Sequence, residues 1–404
     1  MYKNGNPLFP FFIKILFIYY FSIVVLLKCM VSFLGKDFFL SNIVFLFNIA
    51  FFVIIVTISL FIYIRKFTYY RHNIYINLFL FLFSYMLFSL LYNSIFGELY
   101  ITNNVVLFQS KVIVYALLNI LLGMHFYQEL NESNASKIYI YVFVIYTLFI
   151  IWNINFERLT FQIDYISGEH QLFSDVFVVF SCFIVFFIRF KVGRLLFMTF
   201  ILVVLFLIKS RATFFSFLIV YVLFIVKEIG LKNSVYLFIF FIILSLFMIV
   251  NDDSSLDRRM FGVFQGKYDS SLNERIAQFK YGIEAIKNNW FWGEYAGQII
   301  VHKTGYESGT MGAYMHNLLS FWRQFGLLFF LIFMITYCYG LYKISLEWKN
   351  SDSFKIQFIF YVSLFLLIEL LLFRSYTFPY FWFSLGLMYT HLHTVNVGKF
   401  NAKK

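Results

Sequence analysis

Three short strings in this chain carry side chains suited to gripping a phosphate and handling a hydroxyl proton. Lys209-Ser210-Arg211 sets two cations and a hydroxyl between two short apolar stretches. A guanidinium offers a planar fork of donors, and Ser210 with the free N–H groups that open the next helix would add more. Arg275 follows Ser271-Leu272-Asn273-Glu274, in the first turn of an expected helix, where free N–H groups reinforce anion binding. His316, followed by Asn317-Leu318-Leu319, stands at the mouth of a long apolar run. A neutral imidazole there can accept a hydroxyl proton or donate to a phosphate oxygen. Each string also has a bland reading: snorkelling to lipid headgroups for 209–211, a solvated helix position for Arg275, and a headgroup contact for His316. Arg158, Asp164, Glu169 and His170 lie in another outer loop and could join the same site. The sequence has no paired catalytic carboxylates, nucleophile motif, Walker loop or clustered metal ligands, so neither a metal nor a cofactor is expected.

The elements that must hold these residues are membrane spans. Of 404 residues, 62% are hydrophobic and only 13% charged, too apolar for a soluble domain. The apolar runs are continuous and not alternating stretches of ~10 residues, which excludes a closed barrel and predicts an all-α polytopic protein. The net charge of +12 is scattered among loops and not gathered on one face, so it marks orientation and not nucleic-acid binding. Cys29, Cys182 and Cys338 each sit in or beside an apolar run, which argues against a disulfide framework or a cysteine metal site. The first apolar stretch, from Leu8, is long and lacks a small-residue cleavage site, so it is expected to stay as a span.

About twelve spans are expected, near 8–27, 40–64, 74–96, 104–126, 138–155, 172–188, 195–208, 212–226, 233–250, 317–342, 355–373 and 375–393. Fusing the seventh and eighth would make one helix of about 48 Å, well beyond a bilayer core. A tight hairpin with Lys209-Ser210-Arg211 at its tip is expected instead. With the N-terminus inside, sixteen Lys and Arg fall in cytoplasmic loops and six in the opposite short loops. The positive-inside rule then puts both termini in the cytoplasm, and the hairpin tip and residues 251–316 outside it. The chain so divides into nine spans over 1–250, a large outer loop over 251–316, and three spans with a short cytoplasmic tail over 317–404.

That loop is nearly neutral, with seven basic and eight acidic residues, as suits a folded cap. Ser271 and Glu274 have capping-box spacing. Ile276, Phe279, Ile283, Ile286 and Trp290 follow at intervals of three and four, predicting an amphipathic helix that lies across the membrane surface or the cap. Glu369 and Arg374, around the exit of the eleventh span, could pair structurally.

Ser210-Arg211-Ala212 opening one span, Asn273-Glu274-Arg275 leading an amphipathic helix, Trp292-Gly293 beyond it, and His316-Asn317-Leu318-Leu319 with Gly326 together resemble the O-antigen ligase and O-antigen polymerase superfamily. The resemblance covers about residues 195–340 by motif and the first half by hydropathy. Where the family usually has a proline-containing turn, this chain has Asn289-Trp290-Phe291-Trp292-Gly293. The resemblance implies a metal-independent, inverting glycosyltransferase in a bacterial inner membrane, working on the periplasmic face. Its donor would be a glycan on undecaprenyl diphosphate, its surroundings membrane lipid, and a chain-length regulator a candidate partner. Arg211 and Arg275 would bind the diphosphate, with Ser210, Lys209, Asn317 and Arg158 as further substrate contacts, and His316 would orient or deprotonate the acceptor hydroxyl. Repeat-unit polymerase is the first reading, ligase to lipid A-core the alternative, and a lipid-linked sugar transporter the second alternative.

Overall fold

The structure, a computed structural model, describes residues 14–15, 17–18, 50, 53–54, 57, 74–96, 103–130, 136–155, 160–161, 169–208, 210–233, 235, 270–295 and 315–401. Among them the chain is helical apart from one short ladder. In order come α1 (Ile74–Phe96), α2 (Asn103–Glu129), α3 (Ser136–Trp152), β1 (Ile154–Asn155), β2 (Thr160–Phe161), α4 (Glu169–Ile184) with a 3-10 turn (Val185–Phe187), α5 (Lys191–Ile208), α6 (Arg211–Ile229), α7 (Ser270–Asn288), α8 (Leu319–Asn350), α9 (Phe354–Leu372) and α10 (Tyr380–Asn401). The two strands pair antiparallel, Ile154 opposite Phe161 and Asn155 opposite Thr160.

Six of the expected spans fall on helices long and apolar enough to cross a membrane, within α1, α2, α5, α6, α8 and α9. The expected spans at 138–155 and 172–188 fall on shorter apolar helices, Lys137–Trp152 and Gln171–Phe187, and that at 375–393 falls largely on α10. Those at 8–27, 40–64 and 233–250 lie mostly outside the described residues. This is the build of an all-helical membrane protein.

The chain forms two compact units. The first, residues 1–47 and 131–270, contains α3 to α6. Aromatic rings fill it: Phe143 stacks on Phe177 at 5.5 Å and Tyr146 on Phe173 at 4.6 Å, with the Tyr146 hydroxyl donating to the Phe173 carbonyl. Helices α5 and α6 form the expected hairpin. Arg194 and Glu228 close its open end with an ion pair of 2.8 Å, and Thr199 bonds Tyr221 across it at 2.6 Å.

The second unit, residues 48–130 and 271–404, packs α10 against α2. A Cβ on Gly123 would run into the Phe383 carbonyl and one on Gly386 into the Ile120 carbonyl, so two glycines let the helix backbones touch. Helix α8 breaks at Gly326, where φ is +81°. The break serves a second backbone contact. A Cβ on Gly326 would strike the Phe291 carbonyl, and one on Gly293 (φ +79°) would sit 2.6 Å from the Gly326 nitrogen. Only glycine meets both demands, positive φ and no side chain. The turn after α7 is thereby locked onto α8: Leu327 N–H donates to Phe291 O at 3.1 Å, Glu294 N–H to Arg323 O at 2.5 Å, and Trp322 Nε1–H to Trp290 O at 2.6 Å.

Candidate functional site

In the second unit the site is assembled by three pieces of chain. Helix α7 supplies Arg275. Its Gly282, seven residues on and so on the same face, presses against Met315: a Cβ there would lie 2.5 Å from the Met315 sulfur. That contact brings the Arg275 face of α7 to the segment carrying His316. The second piece, 315–318, is a turn that starts α8. Asn317 accepts from the Leu319 N–H through Oδ1 at 3.0 Å, while its carbonyl accepts from Ser320 N–H at 3.0 Å. Asn317 thus closes the turn that leads into α8, a structural task beside the substrate contact expected of it.

The third piece is the connection from α9 to α10. Glu369, fully buried on α9, pairs with Arg374 Nε at 3.0 Å, as expected from their spacing. Its carbonyl accepts from both Phe373 and Arg374 N–H groups at 2.8 Å, which winds the exit of α9 tightly around the pair. Two residues on, Tyr376 N–H donates to Ser320 Oγ at 2.7 Å and its hydroxyl accepts from Gln109 at 2.6 Å, docking the connection on α8.

His316 lies where these pieces meet. Burial pushes its imidazole down to about 3; the charges of Arg275 and then Arg374 push the same way, and a hydrogen bond with the Phe373 backbone offsets them only in part. The ring is neutral at physiological pH. It has a protonation state able to accept a proton, with two guanidinium charges acting on it, one of them paired with Glu369.

Arg211 and Ser210 belong to the first unit. Ser210 is the N-cap residue of α6, and its hydroxyl is 3.0 Å from Thr213 Oγ1. Thr213 donates to Asp175 on α4 at 2.6 Å and contacts Ser174 at 2.9 Å, all of them buried. This network fixes the start of α6, and hence the partly buried Arg211, to α4. Lys209, Arg158 and Asp164 lie outside the described residues, as do the side chains of Glu169, His170, Ser271 and Glu274, so the expected capping box falls there too.

The sequence pattern missed three features. Arg374 was expected only as a structural partner of Glu369, yet its charge bears on His316. The Asp175–Thr213 pair joins residues 38 apart and leaves no local signature. Tyr295, whose phenol burial holds above its usual range, has a buried hydroxyl with no hydrogen-bond partner among the described residues. Along the expected apolar stripe Ile276, Phe279 and Trp290 are exposed and Ile286 is buried, together with Gly282 and Ala285.

Compared with known proteins, the chain matches no family model and no curated protein.

Proposed function

We propose that this protein is a surface-polysaccharide polymerase that joins repeat units carried on undecaprenyl diphosphate, at the periplasmic face of a bacterial inner membrane. The observation that carries the reading is a neutral His316 whose charged neighbours, Arg275 and Arg374, are both cationic. Resemblance to the O-antigen ligase and polymerase superfamily supplies the reaction class.

The acceptor hydroxyl oxygen bonds to the donor's anomeric carbon from the side opposite the diphosphate. The anomeric C–O bond breaks, its electron pair leaving on undecaprenyl diphosphate, and the configuration inverts. The hydroxyl proton passes to the free ring nitrogen of His316 and then to solvent. Arg275 and Arg374 hold the diphosphate and offset the charge that grows on it, without any proton transfer of their own. Glu369 keeps Arg374 charged and aimed. An imidazole depressed to about 3 is a weak base while the site is empty. A dianionic donor beside the two guanidiniums cancels much of their field, so its arrival raises the basicity of the group that will use it. The resemblance also assigns Arg211, in the first unit, to donor binding.

Purified protein in liposomes, supplied with undecaprenyl-diphosphate repeat units, tests the reading. Glycans longer than one unit mean a polymerase. Transfer only when lipid A-core is added means a ligase, and movement of the lipid-linked sugar without glycan growth means a transporter. A reporter fused at residue 280 must be active outside the cytoplasm; activity inside would refute the assignment of the face.

A further inference from the structure

The turn that follows α7 carries an aromatic surface the reaction does not use. Trp290, Phe291 and Trp292 are all exposed, Trp292 at 76%, although each is large and apolar. A soluble turn would not display three such rings in succession. The turn is also rigid: the Gly293–Gly326 contact and three hydrogen bonds lock it to residues 322–327 of α8.

That attachment point has a particular depth. Below the break at Gly326, α8 exposes Leu328, Leu331, Ile335 (67%), Tyr339, Tyr342 and Leu346. Their spacings of three and four residues make one face. From Leu328 to Leu346 the stripe is about 27 Å long at 1.5 Å per residue, close to the ~30 Å of a hydrocarbon core. Its first residue, Leu328, adjoins Leu327, whose N–H donates to the Phe291 carbonyl. The aromatic turn therefore lies at one edge of the apolar band. Trp322, stacked on Phe330 at 5.4 Å, sits at the same level. Tryptophan prefers that level, where its ring is in the interfacial layer and its N–H can bond. Exposed Lys287, three residues before Trp290, brings a cation to headgroup height. Ile276 and Phe279, exposed on the stripe of α7 that runs into the turn, add to the apolar surface.

We infer that Trp290-Phe291-Trp292 is a lipid-binding anchor, seated in the headgroup layer of the bilayer and holding α7 at a fixed height against it. Because α7 also carries Arg275 and presses on Met315, the anchor sets the level of the His316 cluster relative to the lipid phosphates. The anchor itself does not depend on the glycosyltransferase reading.

The test is tryptophan fluorescence of the full chain in phosphatidylcholine vesicles, comparing wild type with Trp290→Phe and Trp292→Phe to isolate the signal of the turn. Lipids brominated near the headgroup (positions 6 and 7) should quench that signal at least twofold more than lipids brominated deep in the chain, and more than aqueous acrylamide does. Quenching by acrylamide alone would put the turn in water and overturn the inference. Quenching by neither agent would mean the turn is covered by protein, and would overturn it as well. If either tryptophan variant fails to fold, a bimane label on Trp292→Cys in a Cys182→Ala, Cys338→Ala, Cys29→Ala background gives the same readout.

Discussion

His391 and His316 stand at opposite ends of the second unit, and their surroundings differ in kind. At the 347 end of α8, His391 Nε2 meets Glu347 at 2.7 Å and its other nitrogen meets the Tyr127 hydroxyl at 3.2 Å, while the Lys355 ammonium lies 3.4 Å over the Tyr127 ring. Acid, base and aromatic face satisfy one another there, and the cluster ties α2, α8, α9 and α10 together. At the 319 end, the charges on His316 are both positive, and the ring is driven toward neutrality. At this end Glu369 already pairs with Arg374 at 3.0 Å, and the ring stays neutral under burial and two guanidinium charges. Function is assigned to His316 and not to His391 because a neutral imidazole beside guanidiniums can take a proton next to a bound anion, whereas His391 faces a carboxylate.

Activity should separate the two histidines by the widest margin. His316→Ala and Arg275→Ala should each lower glycan extension in liposomes by a hundredfold or more, while His391→Gln and Glu347→Gln stay within about twofold of wild type; similar losses at both ends would erase the distinction. Next in size is stability. Glu369→Gln strands the Arg374 guanidinium in a buried site, so it should cost about 3–5 kcal/mol in unfolding, against about 1 kcal/mol or less for the half-exposed Glu347→Gln. Thermal melts in detergent compare the two. A smaller effect is expected for Arg275→Lys, about tenfold in activity, because a point charge cannot reproduce the bidentate grip. The last concerns pH. The folded state holds His316 below its ordinary value, so the unfolded chain takes up its proton first as pH falls. The contribution is full above about 6.5 and is lost between there and about 3; His316→Gln should flatten that stretch of the stability profile, whereas His391→Gln should leave this His316-linked loss in place.

The sequence carried the features written in local spacing. The α5–α6 hairpin followed from a length argument and the Glu369–Arg374 pair from proximity along one helix end. Features made by distant contacts were not legible. Nothing in Trp292-Gly293 or in Gly326 alone announces that the two backbones touch, since each glycine has many uses. The contact of α7 with Met315 was not legible either, since it is made at Gly282, a small residue outside the apolar stripe. In a membrane the apolar side of a helix can equally face lipid, so the hydrophobic pattern no longer tells inside from outside.

In the proposed reaction an imidazole kept neutral first by burial, and then by two arginines, receives an anionic carrier lipid. That step is tested most directly by following the His316 ring by NMR in the full-length protein, assigned by difference from His316→Gln, through a pH titration with and without undecaprenyl diphosphate. The ring should titrate well below 6.5 alone and shift upward when the lipid is added. A ring that titrates near 6.5 in the free protein, or that ignores the lipid, would contradict the account.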